Sequence, residues 1–262
     1  MSAGGWGGDL AEHCAKGVLV MIIGAGVCQA VYSRLFAAGY DWLLRGSERA
    51  VLAQRRRDLL THARGATVEI GSGTGLNMAY YPNTVTELVL TEPSPHMARR
   101  LRVRVAQRER PTRVVDAAGE DLPFPDAGFD TAVATLVLCT VVDPARTLSQ
   151  IARILKADGQ LLFLEHVRSD DPRRVAQQDR WHGLWLLLGD GCHCNRDTER
   201  AIAGPFTIEQ ITHEQMPKAP RIVEPLIVGI ARPRPGLWTD RHTENEVVTR
   251  PDVPVRPYSE DL

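Results

Sequence analysis

An acidic residue followed closely by three glycines is the part of this sequence best suited to bind a ligand. Residues 66–75 read ATVEIGSGTG, in which Glu69 precedes glycines at positions 71, 73 and 75. Glycine accepts a positive φ and lets a ligand come close to the backbone. The G-x-G-x-G spacing differs from the G-x-G-x-x-G of the dinucleotide fingerprint. A carboxylate ahead of the turn disfavours a pyrophosphate and favours a ligand with a positive amino group and no phosphates.

A second acidic residue follows the next predicted strand. The run TELVLT at 86–91 is rich in strand-forming residues and ends in Glu92 and Pro93. A carboxylate at this position can accept hydrogen bonds from both hydroxyls of a ribose. The alternative is that Glu92 caps the helix that begins near Pro95. Together the two acidic residues favour a nucleoside ligand that carries an amino group, and S-adenosylmethionine has this chemistry.

The segments that position these residues alternate between strands and helices. This alternation predicts an α/β fold with a doubly wound, mostly parallel sheet of seven strands. Two of the strands have no long helix between them, which predicts an antiparallel hairpin at one edge of the sheet. The predicted strands are 66–70, 86–91, 112–115, 129–138, 160–164, 206–211 and 222–230.

Several finer expectations concern where elements begin and end. Ser47 is expected to cap a helix that runs to about His62, because serine is a favoured N-cap residue. A helix is expected to begin near Gly75 and to meet Pro82. The polar residues 156–159 are expected to form a turn before the fifth strand.

The two ends of the chain differ in composition from the segment between them. Residues 17–33, GVLVMIIGAGVCQAVYS, include no charged residue, and as a helix they would extend roughly 25 Å. Three interpretations stay open: a helix packed over the α/β domain, a monotopic membrane anchor and a full membrane span. Residues 233–262 are rich in proline and charge and predict a disordered tail. These limits leave residues 34–232 as the α/β domain, with 1–33 as an N-terminal extension.

The overall composition indicates a globular protein and gives no sign of nucleic-acid binding. Hydrophobic residues make up 44% of the chain and charged residues 24%. The net charge of −1 provides no basic field for nucleic acid. The basic runs at 55–57 and 99–110 are interpreted as the solvated faces of helices.

The cysteines predict neither a disulfide framework nor a metal site. There are five, at irregular spacing, which favours a reducing, cytoplasmic setting. Cys192, His193 and Cys194 include potential zinc ligands. The second ligand pair that zinc sites usually use is not found elsewhere in the sequence, so no metal site is predicted.

These residues resemble those of the class I S-adenosylmethionine-dependent methyltransferases over residues 34–232. The matching features are VEIGSGTG at 68–75, Glu92, AAGEDLPFPDAGFD at 117–130, RILKADGQLLFLEH at 153–166 and the C-terminal hairpin. A narrower similarity links the chain to the thiol S-methyltransferase group of animals and its bacterial relatives. It rests on TLVLCTV at 135–141, EHVRS at 165–169 and DGCHCNRDT at 190–198.

The resemblance implies a role for each matching residue. Glu69 and the turn backbone would hold the methionine end of S-adenosylmethionine, and Glu92 would hold the ribose. Ala118 departs from related quinone and sterol methyltransferases, which often have Asp or Asn there, so the adenine contact would come from the backbone or from Glu120. The full implied cofactor set is Glu69, Gly71, Ser72, Gly73, Gly75, Asn77, Glu92, Pro93, Met97, Gly119, Glu120, Thr135 and Leu136, with the last two facing the sulfonium.

The implied reaction is in-line transfer of the sulfonium methyl group to a nucleophile, for which the protein mainly supplies alignment and a dry pocket. A base would help an acceptor thiol to ionise. Glu165, His166 and Asp190 are candidates, although strand-end pairing or a loop turn would also explain them. Trp181 and Trp185 would either cover an apolar acceptor pocket or pack one helix face into the core.

A small lipophilic thiol or phenol is the favoured acceptor. The alternative is C- or N-methylation of a quinone or a phospholipid. A different class is a non-catalytic partner protein that only binds S-adenosylmethionine. A small-molecule acceptor, no nucleic acid and a cytoplasmic setting complete the expectation. The anchor interpretation of residues 17–33 would add peripheral membrane contact.

Overall fold

The computed structural model describes residues 31–108 and 111–235, and its centre is a seven-stranded sheet with the strand order β3-β2-β1-β4-β5-β7-β6. Strand β7 runs antiparallel to β5 and β6, and the other neighbouring pairs are parallel. This architecture confirms the predicted doubly wound α/β fold. The strands are β1 (Gly65–Ile70), β2 (Val85–Thr91), β3 (Thr112–Val115), β4 (Phe129–Thr135), β5 (Leu155–His166), β6 (Phe206–Gln215) and β7 (Pro225–Pro233).

Helices cover both faces of the sheet, as crossover connections between parallel strands require. Residues 31–47 are helical and are called α1 here. Several helices begin with a side-chain cap followed by proline: Asp143 accepts from the backbone N–H of Arg146, and Asp171 accepts from that of Arg173. The others are α2 (Ala53–Leu60), α3 (Pro95–Val105), α4 (Pro144–Ile154), α5 (Pro172–Leu188) and α6 (Thr198–Ala203).

The sheet separates two hydrophobic clusters, and β5 contributes to both. Successive residues of a strand point to opposite faces. Leu161 and Phe163 therefore pack into one cluster, while Leu162 and Leu164 pack into the other. All four side chains are fully buried, which fixes the register of the strand that ends at His166.

The predicted N-cap at Ser47 is wrong. Helix α1 continues through Ser47 (φ −71°, ψ −37°) into one π-helical turn at Glu48–Leu52 and then into α2. The Ser47 hydroxyl instead donates to the carbonyl of Pro217, at 3.0 Å. The Ser47 side chain, which the local sequence pattern assigned to a helix N-cap, thus makes a tertiary hydrogen bond instead.

Several other element boundaries differ from the prediction. A single 3₁₀ turn, Leu76–Tyr80, replaces the helix expected after Gly75, because Tyr81 before Pro82 is extended. Strand β4 ends at Thr135, since the next residue, Leu136, has a φ of 55°. Residues 156–159 belong to β5, where a register shift opposite the start of β4 accommodates them.

The uncharged run at 17–33 and the tail at 233–262 lie largely outside the described residues. Within 31–108 and 111–235, none of the helices combines the length and the apolar character that a membrane crossing needs.

Candidate active site

The glycine turn after β1 has the backbone conformation that its sequence predicts. Gly71, Gly73 and Gly75 have φ angles of 59°, 55° and 87°. A Cβ on Gly71 would lie 2.2 Å from Cγ2 of Val137, so a larger residue would clash there. A Cβ on Gly73 would meet no atom within 4 Å, which leaves open space above the turn for a ligand.

Glu92 is fixed against this turn. Its Oε2 accepts from the backbone N–H of Gly73 at 2.7 Å, and its Oε1 accepts from that of Ser94 at 2.8 Å. Burial raises the pKa of Glu92, and the two N–H groups act in the opposite direction. Ser94, whose hydroxyl accepts from the N–H of Met97, is the N-cap of α3. Both Glu92 oxygens keep a lone pair that a diol could use.

Glu69 is buried at the carboxyl end of β1. Its Oε1 accepts from Nδ2 of Asn77 at 3.0 Å, and its Oε2 accepts from the Tyr81 hydroxyl at 2.6 Å. Burial raises the pKa of Glu69 to about 7, against the opposing effect of its hydrogen bonds and of Arg56. The 3₁₀ turn that replaces a longer helix brings Asn77 and Tyr81 to this carboxylate.

Arg56 is a site residue that sequence reasoning missed. It is 3% exposed, so the interpretation of 55–57 as a solvated face is wrong for this residue. Its Nη1 donates to Asn77 Oδ1 at 2.8 Å and to Thr135 Oγ1 at 3.0 Å. Its Nε donates to Glu48 at 3.0 Å. Helical spacing could have predicted this burial, because Arg56 falls on the same helix face as the buried residues Leu52, Leu59 and Leu60.

These side chains surround one small cavity of about 30 Å³ at the carboxyl ends of β1 and β4. Helix α1 covers it: Asp41 accepts from the Thr74 hydroxyl at 2.6 Å and from Arg104 at 2.5 Å. The open space above Gly73 and the partly used carboxylates of Glu69 and Glu92 fit the amino and ribose groups of S-adenosylmethionine. The cavity is lined by Tyr40, Arg56, Glu69, Gly71, Ser72, Gly73, Thr74, Leu76, Thr135 and Leu136.

The remaining predicted cofactor residues lie around the neighbouring loops. A Cβ on Gly119 would lie 2.7 Å from Cγ2 of Thr147, so glycine allows close packing of this loop on α4. Glu120 Oε1 accepts from the N–H groups of Val142 (2.7 Å) and Asp143 (3.2 Å). Met97 is buried and Pro93 is exposed. The ligand contacts of all these residues stay predictions.

The three candidate bases have different environments. Glu165 is fully buried, its Oε1 accepts from the N–H groups of Val137 and Leu138 at 3.0 Å, and burial raises its pKa to about 7. His166 is buried too. Asp190 is half-buried after α5 and accepts from the Ser33 hydroxyl at 3.4 Å. The catalytic role of each stays a prediction.

His166 contacts two thiols that are distant in sequence. Its Nε2 lies 3.8 Å from Sγ of Cys139, and its Nδ1 lies 3.7 Å from Sγ of Cys192. His193 and Cys194 do not belong to this group of metal-capable atoms. Sequence spacing paired Cys192 with its neighbours, whereas the fold places it beside Cys139 in the turn after β4 and His166 at the end of β5.

Helices α1 and α5 each expose several large apolar side chains. The two helices meet where the Tyr32 hydroxyl donates to the carbonyl of Leu188, at 2.7 Å. Trp185 packs against the core, which agrees with the core-packing interpretation. Trp181 is about half exposed, and its covering of an acceptor pocket stays a prediction. We call the exposed apolar surface of these two helices the α1/α5 face; its exposed residues are Val31, Leu35, Trp42, Leu43, Trp181, Leu184, Leu187 and Leu188.

Known proteins resemble this chain in sequence. Residues 68–163 match the family described as a methyltransferase domain. Thiol S-methyltransferase TMT1B of Rattus norvegicus is 31% identical over 213 residues, which cover 78% of this chain and 87% of the relative. Phosphatidylethanolamine N-methyltransferase of Cereibacter sphaeroides is 31% identical over 172 residues, which cover 64% of this chain and 81% of the relative.

A solved structure shares the fold. An S-adenosylmethionine-dependent methyltransferase of Thermotoga maritima superposes with a TM-score of 0.56 at 23% identity, over 78% of this chain and 99% of that chain. The fold, the glycine turn with its two carboxylates and the identity to TMT1B agree with one another. The chain therefore belongs to the class I S-adenosylmethionine-dependent methyltransferases, and it is an enzyme that methylates a small molecule.

Proposed function

We propose that this enzyme transfers the methyl group of S-adenosylmethionine to the sulfur of small lipophilic thiols. The observation that carries the proposal is the position of α1. This helix covers the glycine turn through the contact of Asp41 with Thr74, and it exposes Leu35, Trp42 and Leu43 on the α1/α5 face. An apolar acceptor would therefore reach the cofactor along a surface that favours it over a polar one.

The residues of this chain would divide the work of binding and alignment. Glu69 would accept from the amino group of the cofactor, and Glu92 would accept from the ribose hydroxyls. The cofactor supplies an activated methyl group on a sulfonium. A bond forms between the methyl carbon and the acceptor sulfur as the sulfonium carbon–sulfur bond breaks, leaving a thioether and S-adenosylhomocysteine. Because the enzyme would hold the cofactor and the acceptor in the reactive orientation, alignment would account for a large part of the rate enhancement.

Asp190 would take the proton that the thiol releases. Of the three candidates it has the partly exposed side chain, and it lies where α5 ends against α1. Glu165 already holds the turn after β4 with one oxygen and is fully buried. A thiol is mostly protonated near neutral pH, so a nearby acceptor for its proton raises the fraction of reactive thiolate.

The same face would dock on a lipid surface, with the enzyme otherwise in the cytoplasm. Two tryptophans and several leucines occupy it, with Arg34 and Arg180 on the same two helices. Indole rings and arginines at an apolar surface suit the interface between headgroups and acyl chains. Peripheral contact would also raise the local concentration of lipophilic acceptors, which partition into the bilayer.

A second candidate function is N-methylation of a phospholipid. A groove of about 590 Å³ between α1 and α3 supports it, because its lining includes Arg34, Arg99 and Arg100. Guanidinium groups bind phosphate well. The phosphatidylethanolamine N-methyltransferase relative is consistent with such an acceptor for this chain.

An acceptor panel with methyl-labelled cofactor separates these functions. Thiophenol and phenol form a matched pair that differs only in the acceptor atom, and phosphatidylethanolamine vesicles and a reduced quinone complete the panel. We expect labelled thioether from thiophenol and much less transfer to phenol. Faster methylation of the lipid or the quinol would contradict the thiol proposal. So would the lack of any transfer while the cofactor binds.

A further inference from the structure

A buried cluster of three metal-ligating side chains lies beside the acceptor side of the molecule, and the proposed methyl transfer does not use it. Cys139 follows β4, His166 ends β5, and Cys192 follows α5. Their ligand atoms all lie within 4.8 Å of one another. We propose that Cys139, His166 and Cys192 bind a Zn²⁺ ion.

The spacing of the ligand atoms fits tetrahedral zinc. The Nε2 atom of His166 lies 3.8 Å from Sγ of Cys139 and 3.9 Å from Sγ of Cys192, so it is almost equidistant from the two sulfurs. Zinc bonds of about 2.3 Å to sulfur and 2.0 Å to nitrogen place such atoms roughly 3.6 Å apart at the tetrahedral angle. The two nitrogen–sulfur distances are therefore only slightly longer than those around a bound zinc ion, and all the ligand atoms lie within 4.8 Å of one another.

The backbone around the cluster is already held in place. The N–H of His193 donates to the carbonyl of Cys139 at 2.8 Å, which fixes the Cys192 loop against the Cys139 turn. Arg196 donates to the carbonyls of Leu138 (2.6 Å) and Val141 (2.9 Å) on the same turn. A site whose ligands are positioned before the metal arrives loses little conformational entropy on binding.

One buried oxygen without a hydrogen-bond partner belongs to the neighbouring residue of β5. Oε2 of Glu165, the residue before His166, is buried and has no hydrogen-bond partner. Buried oxygens of this kind are costly and usually bind a group that completes their hydrogen bonding. Three protein ligands leave the fourth zinc position to a water.

The ligand types select the metal. Two thiolates and one imidazole suit zinc, whereas magnesium and calcium prefer oxygen ligands. The ion would join the turn after β4, the end of β5 and the loop after α5. These segments form the side of the molecule that also contains Asp190, so zinc would hold this side together without entering the methyl-transfer step.

The first test measures zinc in the purified full-length protein. After exposure to zinc and removal of excess metal, we expect one ion per chain. Cys139→Ser and Cys192→Ser should each retain little zinc. Cys194→Ser is the matched control, because Cys194 is equally buried and two positions from Cys192 but makes its contact with Gln178. Zinc should raise the melting temperature of the wild-type protein and of the control.

A second test uses only the wild-type chain, so it does not depend on the folding of variants. Alkylation followed by mass spectrometry reports the reactivity of each thiol. We expect zinc to slow alkylation of Cys139 and Cys192 and to leave Cys194 unchanged. The proposal is overturned if the wild-type protein binds no zinc under reducing conditions, or if zinc protects all three thiols equally.

Discussion

Arg56 Nη1 donates a hydrogen bond to Thr135 Oγ1 at 3.0 Å, and this bond joins residues that are 79 positions apart. It connects α2 with the carboxyl end of β4, next to the cofactor turn. The same nitrogen also donates to Asn77, whose amide donates to Glu69. The carboxylate that would bind the cofactor amino group is thus positioned by a chain of hydrogen bonds that starts in a helix before the sheet.

Replacing Arg56 with alanine should therefore reduce both stability and cofactor binding. Glu48 would lose its cation, and Asn77 Oδ1 and Thr135 Oγ1 would lose a buried donor. We expect a loss on the order of 3 kcal/mol in the free energy of unfolding. Urea unfolding measures it, and Arg57→Ala is the control, because Arg57 is exposed. A loss no larger than that of Arg57→Ala would contradict the positioning role.

Removing the charge of Glu92 should weaken cofactor binding. Glu92→Gln keeps an acceptor for one backbone N–H but loses the carboxylate for the ribose. A hydrogen bond to a charged group contributes about 1.5–3 kcal/mol, so affinity should fall by about 10–100-fold. Calorimetric titration with S-adenosylmethionine measures this, with Glu87→Gln on the exposed part of β2 as the control. Equal affinities for the two variants would rule out the ribose contact.

The affinity for S-adenosylmethionine should rise as pH increases through about 7. Burial raises the pKa of Glu69 to about 7, so its carboxyl is mostly neutral below that pH and charged above it. The cationic amino group of the cofactor binds the charged carboxylate of Glu69 better than the neutral carboxyl, so affinity should rise with pH. An α-amino group has an ordinary pKa of about 7.7, so titrations should stay below that value and cover about pH 6 to 7.5. Glu69→Gln should flatten the dependence, and an unchanged slope in this variant would refute the assignment.

Stability should change with pH in the opposite sense. A carboxyl whose folded pKa lies above its ordinary value of 4.5 contributes stability at low pH, and this contribution is lost as pH rises through the folded value. The unliganded wild-type protein should therefore lose stability relative to Glu69→Gln between pH 4.5 and 7. Denaturant titrations of both proteins across this range measure the difference. A difference that does not vary with pH would show that Glu69 titrates in its ordinary range.

Local sequence patterns were enough to predict the sheet and the glycine turn, because both features depend on residues that are close together in the chain. Alternating strand and helix patterns predict the parallel sheet, and glycines at 71, 73 and 75 predict positive φ. Residue types at the ends of β1 and β2 likewise predicted which carboxylates lie at the turn. These features need no knowledge of distant contacts.

The parts that sequence could not predict depend on contacts between distant segments. Ser47 has the chemistry of a helix cap, yet its hydroxyl bonds to Pro217. Cys192 was judged with its neighbours His193 and Cys194, although its contacts are Cys139 and His166. Arg56 sits in a run of three arginines, and only its tertiary position shows that it is buried. In each case tertiary packing overrides the local pattern.

Asp190→Asn should slow methyl transfer to weakly acidic thiols more than to strongly acidic ones. Asparagine tolerates the left-handed backbone of this position, where φ is 50°. A base typically contributes about 10²–10⁴-fold, and this advantage shrinks when the thiol is already ionised. Rates for aryl thiols of graded acidity test this, with cofactor affinity as the control. Equal loss for every thiol would mean that Asp190 positions the loop and does not accept the proton.

Polar substitutions on the α1/α5 face should release the enzyme from lipid vesicles. Trp42 and Leu187 are 75% and 61% exposed, and burying each in a bilayer interface removes apolar surface from water. Replacing both with serine should lower vesicle binding by roughly tenfold per side chain. Val142→Ser is the matched control, because Val142 is 91% exposed but lies on a loop before α4. Flotation with phosphatidylethanolamine and phosphatidylglycerol vesicles measures the bound fraction. If the double variant floats as well as the control, membrane contact does not use this face.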